Sequence, residues 1–370
     1  MTTMLTPAQR IAWLRLVRTD NIGPVTFRQL LNRFGSAEAA IAALPDLGQK
    51  AGRPLRAISQ SQAEDEIAGL MRYGARLVAQ GEPDYPCHLL HISGAPPLLT
   101  LAGGERLDWR KSVGIVGARN ASSSGIKMTH MLAEGVGARG YCVVSGLARG
   151  IDAAAHRASL ATGTAAVLAG GFDRIYPDEN IPLAHDILDH GGVLLTEMPL
   201  GWEPRARDFP RRNRLVSGLS LGIVVVEAAK RSGSLITARL ALEQNRDVLA
   251  VPGSPLDPRA EGGNALIQQG ARLVTNAQDI VDVLGSADPA RQQLFDPEWQ
   301  PEDPPGSEEI PPAEGARALL IEKLSTTPVE VDELIVQTGI TPHAMQILLL
   351  ELDLAGLVEW SSGQLVALRG

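Results

Sequence analysis

The sequence predicts an α/β protein built around a doubly wound, mainly parallel β-sheet. From residue 76 onward, short apolar runs alternate with segments of helical pattern. The runs are continuously apolar, as in strands that are covered on both faces of a parallel sheet. A helical segment precedes them, and a proline-rich acidic stretch near residue 300 separates a smaller module at the C-terminal end. The runs read SVGIVGA, YCVVSGLA, AAVLAGG, GVLLTEMP, LGIVVVEA, DVLAVPG and ARLV.

Residues 1–75 predict a small helical module. A first helix is expected over residues 7–18; Pro24 starts a second, which Gly35 ends before Ser36 caps a third. Helices joined by a short Ile-Gly turn can present backbone N–H groups to a phosphate, as helix-hairpin-helix modules do. A module that serves only for packing is the alternative, and these residues leave both open.

Residues 76–285 predict the sheet domain, with ARLVAQGEPDYP and PPLLTLAGG adding strands to one edge. Ligands of open α/β sheets bind beyond the carboxyl ends of the strands, where helix N-termini offer N–H donors to anions. We expect Ser122, Ser123 and Ser124 to cap the first such helix. Small or charged residues follow the successive runs: Gly117-Ala118-Arg119, Ser145-Gly146, Gly170-Gly171, Glu197, Glu227 and Pro252-Gly253.

Charge is distributed unevenly along the chain. The net charge is −8, but residues 286–315 carry −7 and residues 316–370 carry −4, which leaves residues 1–285 with +3. Residues 286–315 are rich in proline and acid, which is typical of an extended linker. The negative total therefore does not exclude a nucleic-acid partner for the larger part of the chain.

Residues 316–370 predict a winged-helix-like module. Helices are expected over residues 316–324, 330–338 and 342–355, with Thr341 as N-cap of the third, followed by the hairpin LVEWSSGQLVAL. The third helix of such a module ordinarily enters the major groove. Residues 341–360 contain no Lys or Arg, and a groove reader without cations binds phosphates poorly. We expect this module to contact protein or to regulate the larger domain.

The turn after the first strand run does not fit a dinucleotide site. A Rossmann fingerprint needs G-x-G-x-x-G and an acid after the next strand. The segment here reads GIVGARNASSSG, and the next run ends in Ser145-Gly146. Arg119 places a cation in the turn instead, which disfavours NAD.

Membrane, export and metal functions are also disfavoured. No apolar run approaches the roughly 18 residues of a membrane helix, and the two cysteines do not make a disulfide framework. Cys87, His88 and His91 lie close in sequence, but DYPCHLLHISGAPP lacks a second pair of zinc ligands. We expect a cytoplasmic protein with no cofactor, metal or membrane partner.

The most basic segment is EPRARDFPRRNRLVSG, residues 203–218. Arginine forks match phosphate oxygens and stack on bases, and the adjacent Phe209 and Trp202 add the flat surfaces of a single-strand groove. Asn213 can bond a base edge or a phosphate. The alternative is a solvated loop whose arginines pair with Glu197 and Glu227. The arginines of this basic segment are Arg205, Arg207, Arg211, Arg212 and Arg214.

These residues resemble the DprA/Smf family, the DNA-processing proteins of bacterial natural transformation. The resemblance is continuous over about residues 80–280, and the helical and winged-helix-like modules match the family's layout. The matching blocks are GARNASSSG, SGLARGIDAAAHRASL, FDRIYPDEN, TEMPLG, FPRRNRLVSGLS, VVEAAKRSGSLITARLALE, VPGSP and GGNALIQQGA.

The resemblance implies an extended Rossmann-like domain that binds single-stranded DNA, and an N-terminal module of SAM- or helix-hairpin-helix-like kind. It also implies a recombination mediator that loads RecA on incoming strands and dimerises through the Rossmann-like domain. Asp152 and His156 match a block in which they fix local geometry. The residues expected to bind DNA are Gly117, Arg119, Ser122, Ser145, Gly146, Gly171, Arg205, Arg207, Phe209, Arg211, Arg212, Asn213, Arg214, Ser232 and Gly233.

Two departures from the family pattern concern the phosphate path. Ala118 replaces a usual serine, and Asp178 stands where relatives often carry lysine. An acid there would repel phosphate and shift the DNA toward the arginines of residues 205–214. The competing hypothesis is a nucleotide phosphoribohydrolase of the lysine-decarboxylase-like family. That family needs PGGxGTxxE, whereas the comparable segment here is RSGSLITARLALE.

Overall fold

The computed structural model describes residues 4–50, 52–104, 107–285, 315–361 and 365–369. Within them the chain forms two compact units. One unit is the sheet domain, residues 66–285. The other joins residues 4–65 to the described residues from 315 onward, a grouping that the sequence alone does not indicate. The predicted linker falls almost wholly outside the described residues, and the domain boundaries remain predictions.

The helices and strands follow the predicted order. In the N-terminal part the helices are α1 (Pro7–Val17), α2 (Pro24–Phe34), α3 (Ala37–Lys50) and α4 (Gln60–Arg72). In the sheet domain they are α5 (Ser123–Gly137), α6 (Ile151–Ser159), α7 (Ile181–Asp189), α8 (Asp208–Leu219), α9 (Gly233–Glu243), α10 (Glu261–Gln268) and α11 (Ala277–Gly285). Short 3₁₀ helices cover Cys87–His91 and Asp178–Asn180. The helices of the C-terminal module are α12 (Ala316–Lys323), α13 (Val331–Thr338) and α14 (Pro342–Leu354).

The strands form a large sheet and a small one. The large sheet contains β1 (Ala75–Ala79), β2 (Leu98–Gly103), β3 (Ser112–Gly117), β4 (Cys142–Ser145), β5 (Thr164–Val167), β6 (Val193–Thr196), β7 (Gly222–Val226), β8 (Asp247–Ala250) and β9 (Arg272–Leu273). Its order is β1-β2-β6-β5-β4-β3-β7-β8-β9, and every pair from β6 to β9 is parallel. The small sheet contains β10 (Val329–Glu330), β11 (Val358–Ser361) and β12 (Leu365–Leu368).

The large sheet is buried on both faces, as its continuous apolar runs predict. Val144 and Val225 belong to a core on the side of α8 and α9. Val143 and Val224 belong to a second core on the side of α5, α6 and α11. Neighbouring residues of one strand thus face opposite helical layers. The two predicted additional strands, β1 and β2, lie antiparallel at one edge, so the doubly wound, mainly parallel sheet is confirmed.

The caps at the N-terminal helices also follow the sequence. Thr6 closes a capping box at α1, and Pro24 is the first residue of α2. Gly35 ends α2 with a φ of 75°, a left-handed conformation that favours glycine. The Ser36 hydroxyl accepts from the backbone N–H of Ala39 in α3 at 3.2 Å.

The third helix of the winged-helix module is covered on two sides. Met345, Leu348 and Leu352 of α14 fill the core of their own module. Leu350 and Leu354 join the apolar core of the N-terminal helices instead, and the Thr26 hydroxyl of α2 donates to the Asp353 carboxylate. The helix that would read a major groove is therefore packed against the chain's own N-terminal module. This contact favours the predicted protein-contacting role over duplex binding.

Among the described residues, we find no helix that is both long enough and apolar enough to cross a bilayer.

Candidate nucleic-acid interface

The strand order reverses at β3, which has β4 on one side and β7 on the other. Crevices at such reversals, beyond the carboxyl ends of the strands, are the usual ligand sites of open α/β sheets. The predicted site residues lie at the ends of these strands, in the loops that follow β3 to β7, and in the first turns of α8 and α9. They divide into residues that build the edge and residues that face solvent.

The crevice between β3 and β7 is filled by the chain's own carboxylate. Ser122 is the N-cap of α5, and its hydroxyl accepts from the backbone N–H of Gly125 at 3.0 Å. The backbone N–H of Ser122 donates to Glu227 Oε2 at 2.9 Å, and the Ser122 hydroxyl donates to Glu227 Oε1. A negative charge is stabilised at a helix N-terminus. Glu227 thus occupies the place that a phosphate takes in nucleotide-binding turns.

The position of Glu227 depends on two features of the backbone: its own left-handed conformation and the glycines next to it. Its φ is 54°, a left-handed conformation that costs a non-glycine residue of order 1 kcal/mol or more. A Cβ at Gly125 would overlap the Glu227 carboxylate, so only glycine admits it. A Cβ at Gly117 would likewise overlap the carbonyl oxygen of Val226. Gly117 and Ser122 therefore build the turn, and Arg119 is its exposed member.

The buried side chain of Arg212 supports the carboxyl ends of β4 and β5. Only 5% of its surface is exposed, and its Nη1 donates to the carbonyl oxygens of Gly146 and Val167. Burial lowers the pKa of Arg212 to about 10, and the nearby Asp152 opposes that shift. Its guanidinium faces backbone carbonyls, so we assign it to support of the site. Its predicted place among the DNA contacts stays a prediction.

Asp152 fixes the loop above Arg212. Its Oδ2 accepts from the backbone N–H groups of Gly146 at 3.1 Å and of Ala148 at 3.4 Å. Burial raises the pKa of Asp152, whereas Arg212 acts in the opposite direction. His156 is fully buried, with Nδ1 2.7 Å from the Thr164 hydroxyl. Both residues fix geometry, as the family resemblance implies.

Three other predicted residues face inward. The Ser145 hydroxyl donates to the carbonyl oxygen of Ile115 at 2.6 Å, within the sheet. A Cβ at Gly146 would overlap the Arg212 guanidinium, and one at Gly171 would overlap the carbonyl oxygen of Pro199. These residues are small because other groups of the protein approach them closely, and the structure does not open them to a ligand.

Glu197, at the end of β6, binds two of the predicted arginines. Its side chain is 7% exposed, and its Oε1 lies 2.9 Å from Arg211 Nε. Its Oε2 pairs with Arg214, whose other nitrogen donates to the carbonyl oxygen of Gly94. The alternative of arginines paired with Glu197 therefore describes Arg211 and Arg214. The Arg211 side chain remains half exposed at 50%.

Among the described residues, Arg119, Arg205 and Arg207 are the exposed arginines of the site that do not pair with a carboxylate; Arg211 is exposed but bound to Glu197. The Arg119 guanidinium lies 5.3 Å from the centre of the Phe209 ring, and that of Arg205 lies 5.1 Å from the Trp202 ring. Within the described residues no hydrogen bond or ion pair holds the Arg207 side chain. The rings orient the two planar guanidinium groups by cation–π attraction. This arrangement can bind phosphate oxygens and leave aromatic faces beside them.

Asp208 organises the loop that carries these arginines. Its Oδ2 accepts from Trp202 Nε1 and from the backbone N–H of Arg205, both at 2.9 Å. Asp208 is buried at the first turn of α8, where a carboxylate is favourable. The only acid of the basic segment after Glu203 thus positions the cations next to it, a role that charge counting does not indicate.

The remaining predicted residues lie around this surface. Asn213 is half-buried on α8, and Ser232 caps α9 with Gly233 exposed beside it. Ser232 and Gly233 follow β7, and no described contact joins them to the arginines. Asp178 is exposed, so its effect on a DNA path stays a prediction.

The described residues contain no group of three His, Cys, Asp or Glu side chains placed to hold a metal ion. Burial raises the pKa of Cys87, and burial lowers the pKa of His88 to about 4. Cys142 is a buried core thiol, and burial raises its pKa to about 12. Neither thiol is a ready nucleophile at neutral pH.

Tyr176 is the site residue that sequence reasoning missed. It is 49% exposed, and its ring meets the edge of Phe209 with centroids 5.5 Å apart at 67°. Tyr176 precedes the short 3₁₀ helix, 33 positions before Phe209. Only the folded loops bring the two rings together, and no local pattern indicates it.

Comparisons with known proteins agree with this geometry. The family model described as DNA recombination-mediator protein A matches residues 76–285. Models of a DprA-like N-terminal HHH domain and a DprA winged helix domain match residues 7–69 and 301–364. Protein Smf of Escherichia coli is 34% identical over 365 residues, which cover 96% of this chain and 95% of that protein.

Two solved structures share the fold. DNA processing protein A of Streptococcus pneumoniae aligns with a TM-score of 0.62 and 34% identity, covering 75% of this chain and 98% of that one. Its counterpart from Helicobacter pylori, described for its single-stranded DNA binding mode, aligns with a TM-score of 0.52 and 27% identity. That alignment covers 57% of this chain and 95% of the Helicobacter chain. The resemblance seen in the sequence is confirmed, and the chain belongs to the DprA/Smf family of DNA recombination-mediator proteins.

Proposed function

We propose that this protein binds single-stranded DNA along the surface of Arg119, Arg205 and Arg207, with Phe209 and Trp202 beside them. One observation carries the proposal: exposed guanidinium groups lie over aromatic rings at the carboxyl edge of the sheet. Cations that track a backbone, together with rings on which bases stack, are the general features of single-strand sites. The binding mode described for the Helicobacter relative supports the same ligand.

The role that follows from family membership is recombination mediation in natural transformation, in the cytoplasm, by loading RecA on the bound strand. We propose dimerisation through the Rossmann-like domain as part of that role. Exposed leucines of this domain support a self-association surface: Leu242 of α9 is 59% exposed, Leu256 after β8 is 93% exposed, and Leu273 of the edge strand β9 is 49% exposed. Large apolar side chains grouped on a surface mark protein contacts more often than isolated ones do.

Binding rather than catalysis is the activity that the site supports. Glu197 and Glu227 are the carboxylates with the position for acid–base work, and both are engaged. Glu197 pairs with Arg211 and Arg214, and Glu227 caps α5 through Ser122. A phosphoribohydrolase would need a free general base within reach of its substrate. Release of a free base from a nucleoside monophosphate would contradict this proposal.

The test is a salt titration of oligonucleotide binding, with single strands compared against duplexes. Arg119→Ala and Arg207→Ala should each weaken single-strand binding, and each lost phosphate contact should reduce the salt slope by about 0.7. Arg157→Ala is the matched control, because Arg157 is exposed in the last turn of α6, which runs away from the carboxyl edge. Unchanged affinity and slope in both site variants would exclude this surface.

A further inference from the structure

Tyr176 contacts the Phe209 ring but has no part in the DNA surface proposed above. Its ring is 49% exposed. Phe209 is half-buried beneath it, and the 67° angle between the planes sets the rings edge to face. That geometry is a favourable aromatic contact. About half of Tyr176 remains exposed, and the Phe209 ring that it contacts also contacts the Arg119 guanidinium.

The loop that carries Tyr176 is tied down from two sides. Asn180 Nδ2 donates to the carbonyl oxygen of Leu147 at 2.9 Å, and the backbone N–H of Gly171 donates to the carbonyl oxygen of Trp202 at 3.0 Å. Asp173 Oδ1 accepts from the backbone N–H of Gly201 at 2.7 Å. Hydrogen bonds at both ends restrict the loop, so the ring is held before any ligand arrives. A prearranged ring loses less conformational freedom when a ligand stacks on it.

A nucleobase fits this place better than a second phosphate does. The exposed face is aromatic. Of the two exposed charges nearest to it in the loop, Asp178 is acidic and Arg174 already pairs with Asp173 and Glu203. Every base has a flat π-face, so stacking is tolerant of sequence. Arg119, which contacts the same Phe209 ring, can hold the phosphate of the same strand while the base stacks on Tyr176.

We propose that Tyr176 is a base-stacking residue and that it discriminates single strands from duplexes. This inference rests on the proposed function and deepens it. In a duplex the base faces are buried in the stack, and a base must leave the stack at a cost of a few kcal/mol before a protein ring can reach it. A single strand presents its bases without that cost. The arginines alone contact a backbone that both forms share, so the selectivity lies with the ring.

The experiment measures binding of the full-length chain to a thymine oligonucleotide, to an abasic oligonucleotide of equal length, and to a duplex. Tyr176→Ala should weaken binding of the thymine strand by about 5- to 150-fold. Its salt slope should stay unchanged, since no phosphate contact is lost. Abasic-strand and duplex affinities should stay as in wild type, and Tyr176→Phe should retain the wild-type affinity. A 2-aminopurine strand should lose its protein-induced quenching only in Tyr176→Ala.

Tyr73→Ala is the matched control, because Tyr73 is also an exposed tyrosine, at 51%, in the same unit. Equal thymine-strand affinity in Tyr176→Ala and wild type would overturn the inference, as would an equal loss on the abasic strand. A reduced salt slope would also overturn it, because Tyr176 would then act through Arg119. If the wild-type protein binds neither the thymine strand nor the abasic strand, the proposed function itself is contradicted. If wild type binds and only the Tyr176 results are negative, the proposed function stands without this inference.

Discussion

Replacement of Arg212 by alanine separates the two roles that arginines play at this site. Arg212 Nη1 donates to the carbonyl oxygens of Gly146 and Val167, and its charge faces the buried Asp152. Arg212→Ala leaves two buried acceptors without donors, at about 1–3 kcal/mol each. It also removes the cation that opposes the raised pKa of the buried Asp152 carboxylate.

These losses overlap, because Asp152 can take up a proton once its neighbouring cation is gone. We expect Arg212→Ala to lower the free energy of unfolding of the sheet domain by about 3–5 kcal/mol in total. For a domain of 150–250 residues each kcal/mol lowers the Tm by about 2–4 °C, so the Tm should fall by roughly 6–20 °C. The exposed Arg119→Ala and Arg207→Ala variants should each change the free energy of unfolding by less than about 1 kcal/mol.

The assay is urea unfolding together with hydrogen exchange of the peptides that contain β4 and β5. Exchange there should accelerate in Arg212→Ala and stay unchanged in Arg119→Ala, while only Arg119→Ala should alter the salt slope of DNA binding. The reasoning fails if Arg212→Ala unfolds within about 1 kcal/mol of wild type and still loses single-strand binding. Arg212 would then belong to the ligand surface, as the sequence first indicated.

Three further predictions concern pH and the C-terminal module. Burial lowers the pKa of His156 to about 3 and of His88 to about 4; the unfolded chain therefore takes up protons below pH 6.5 that the folded domain does not. The free energy of unfolding should fall by roughly 3–4 kcal/mol between pH 7 and pH 5, and urea titrations of His156→Gln should show about half of that slope. Burial raises the pKa of Asp353 to about 6, so the unit that contains it should lose stability as pH rises from about 4 to 6. Asp353→Asn should then gain about 1–3 kcal/mol at pH 7.5 in urea unfolding, and a loss would mean that the hydrogen bonds of the carboxylate dominate. Deletion of residues 286–370 should leave single-strand affinity intact but increase binding of an apolar dye, since it uncovers the faces of α2 and α3 that α14 packs against; a large loss of affinity would give the acidic module a direct part in DNA binding.

The sequence was sufficient for the sheet because burial on both faces leaves a local signature. Each predicted run became a strand, and Pro24, Gly35 and Thr341 mark helix ends that their backbone chemistry requires. The contact of α14 with the N-terminal helices could not be predicted from the sequence. Residues 350 and 354 read simply as apolar, and no pattern says which of two cores they join.

The arginine cluster shows that local sequence does not indicate how deeply each side chain is buried. Counting charge places Arg205, Arg207 and Arg212 in one group, but the fold separates them by depth. A helical projection contains part of the missing signal, because Arg212 shares the buried stripe of α8 with Leu215, Val216 and Leu219. The meeting of Tyr176 with Phe209 has no such signal, since it depends on two loops that leave different strands.

Glu227 at the N-terminus of α5 has a consequence for the stability of this edge of the sheet when no strand is bound. Folds that keep this position for a nucleotide phosphate are completed by their ligand and are less ordered without it. Here the chain's own Glu227 carboxylate takes that position and is bonded to Ser122. Loss of the strand therefore leaves no uncompensated helix end at the switch point of the sheet. The fold of this edge of the sheet thus does not rest on a bound strand.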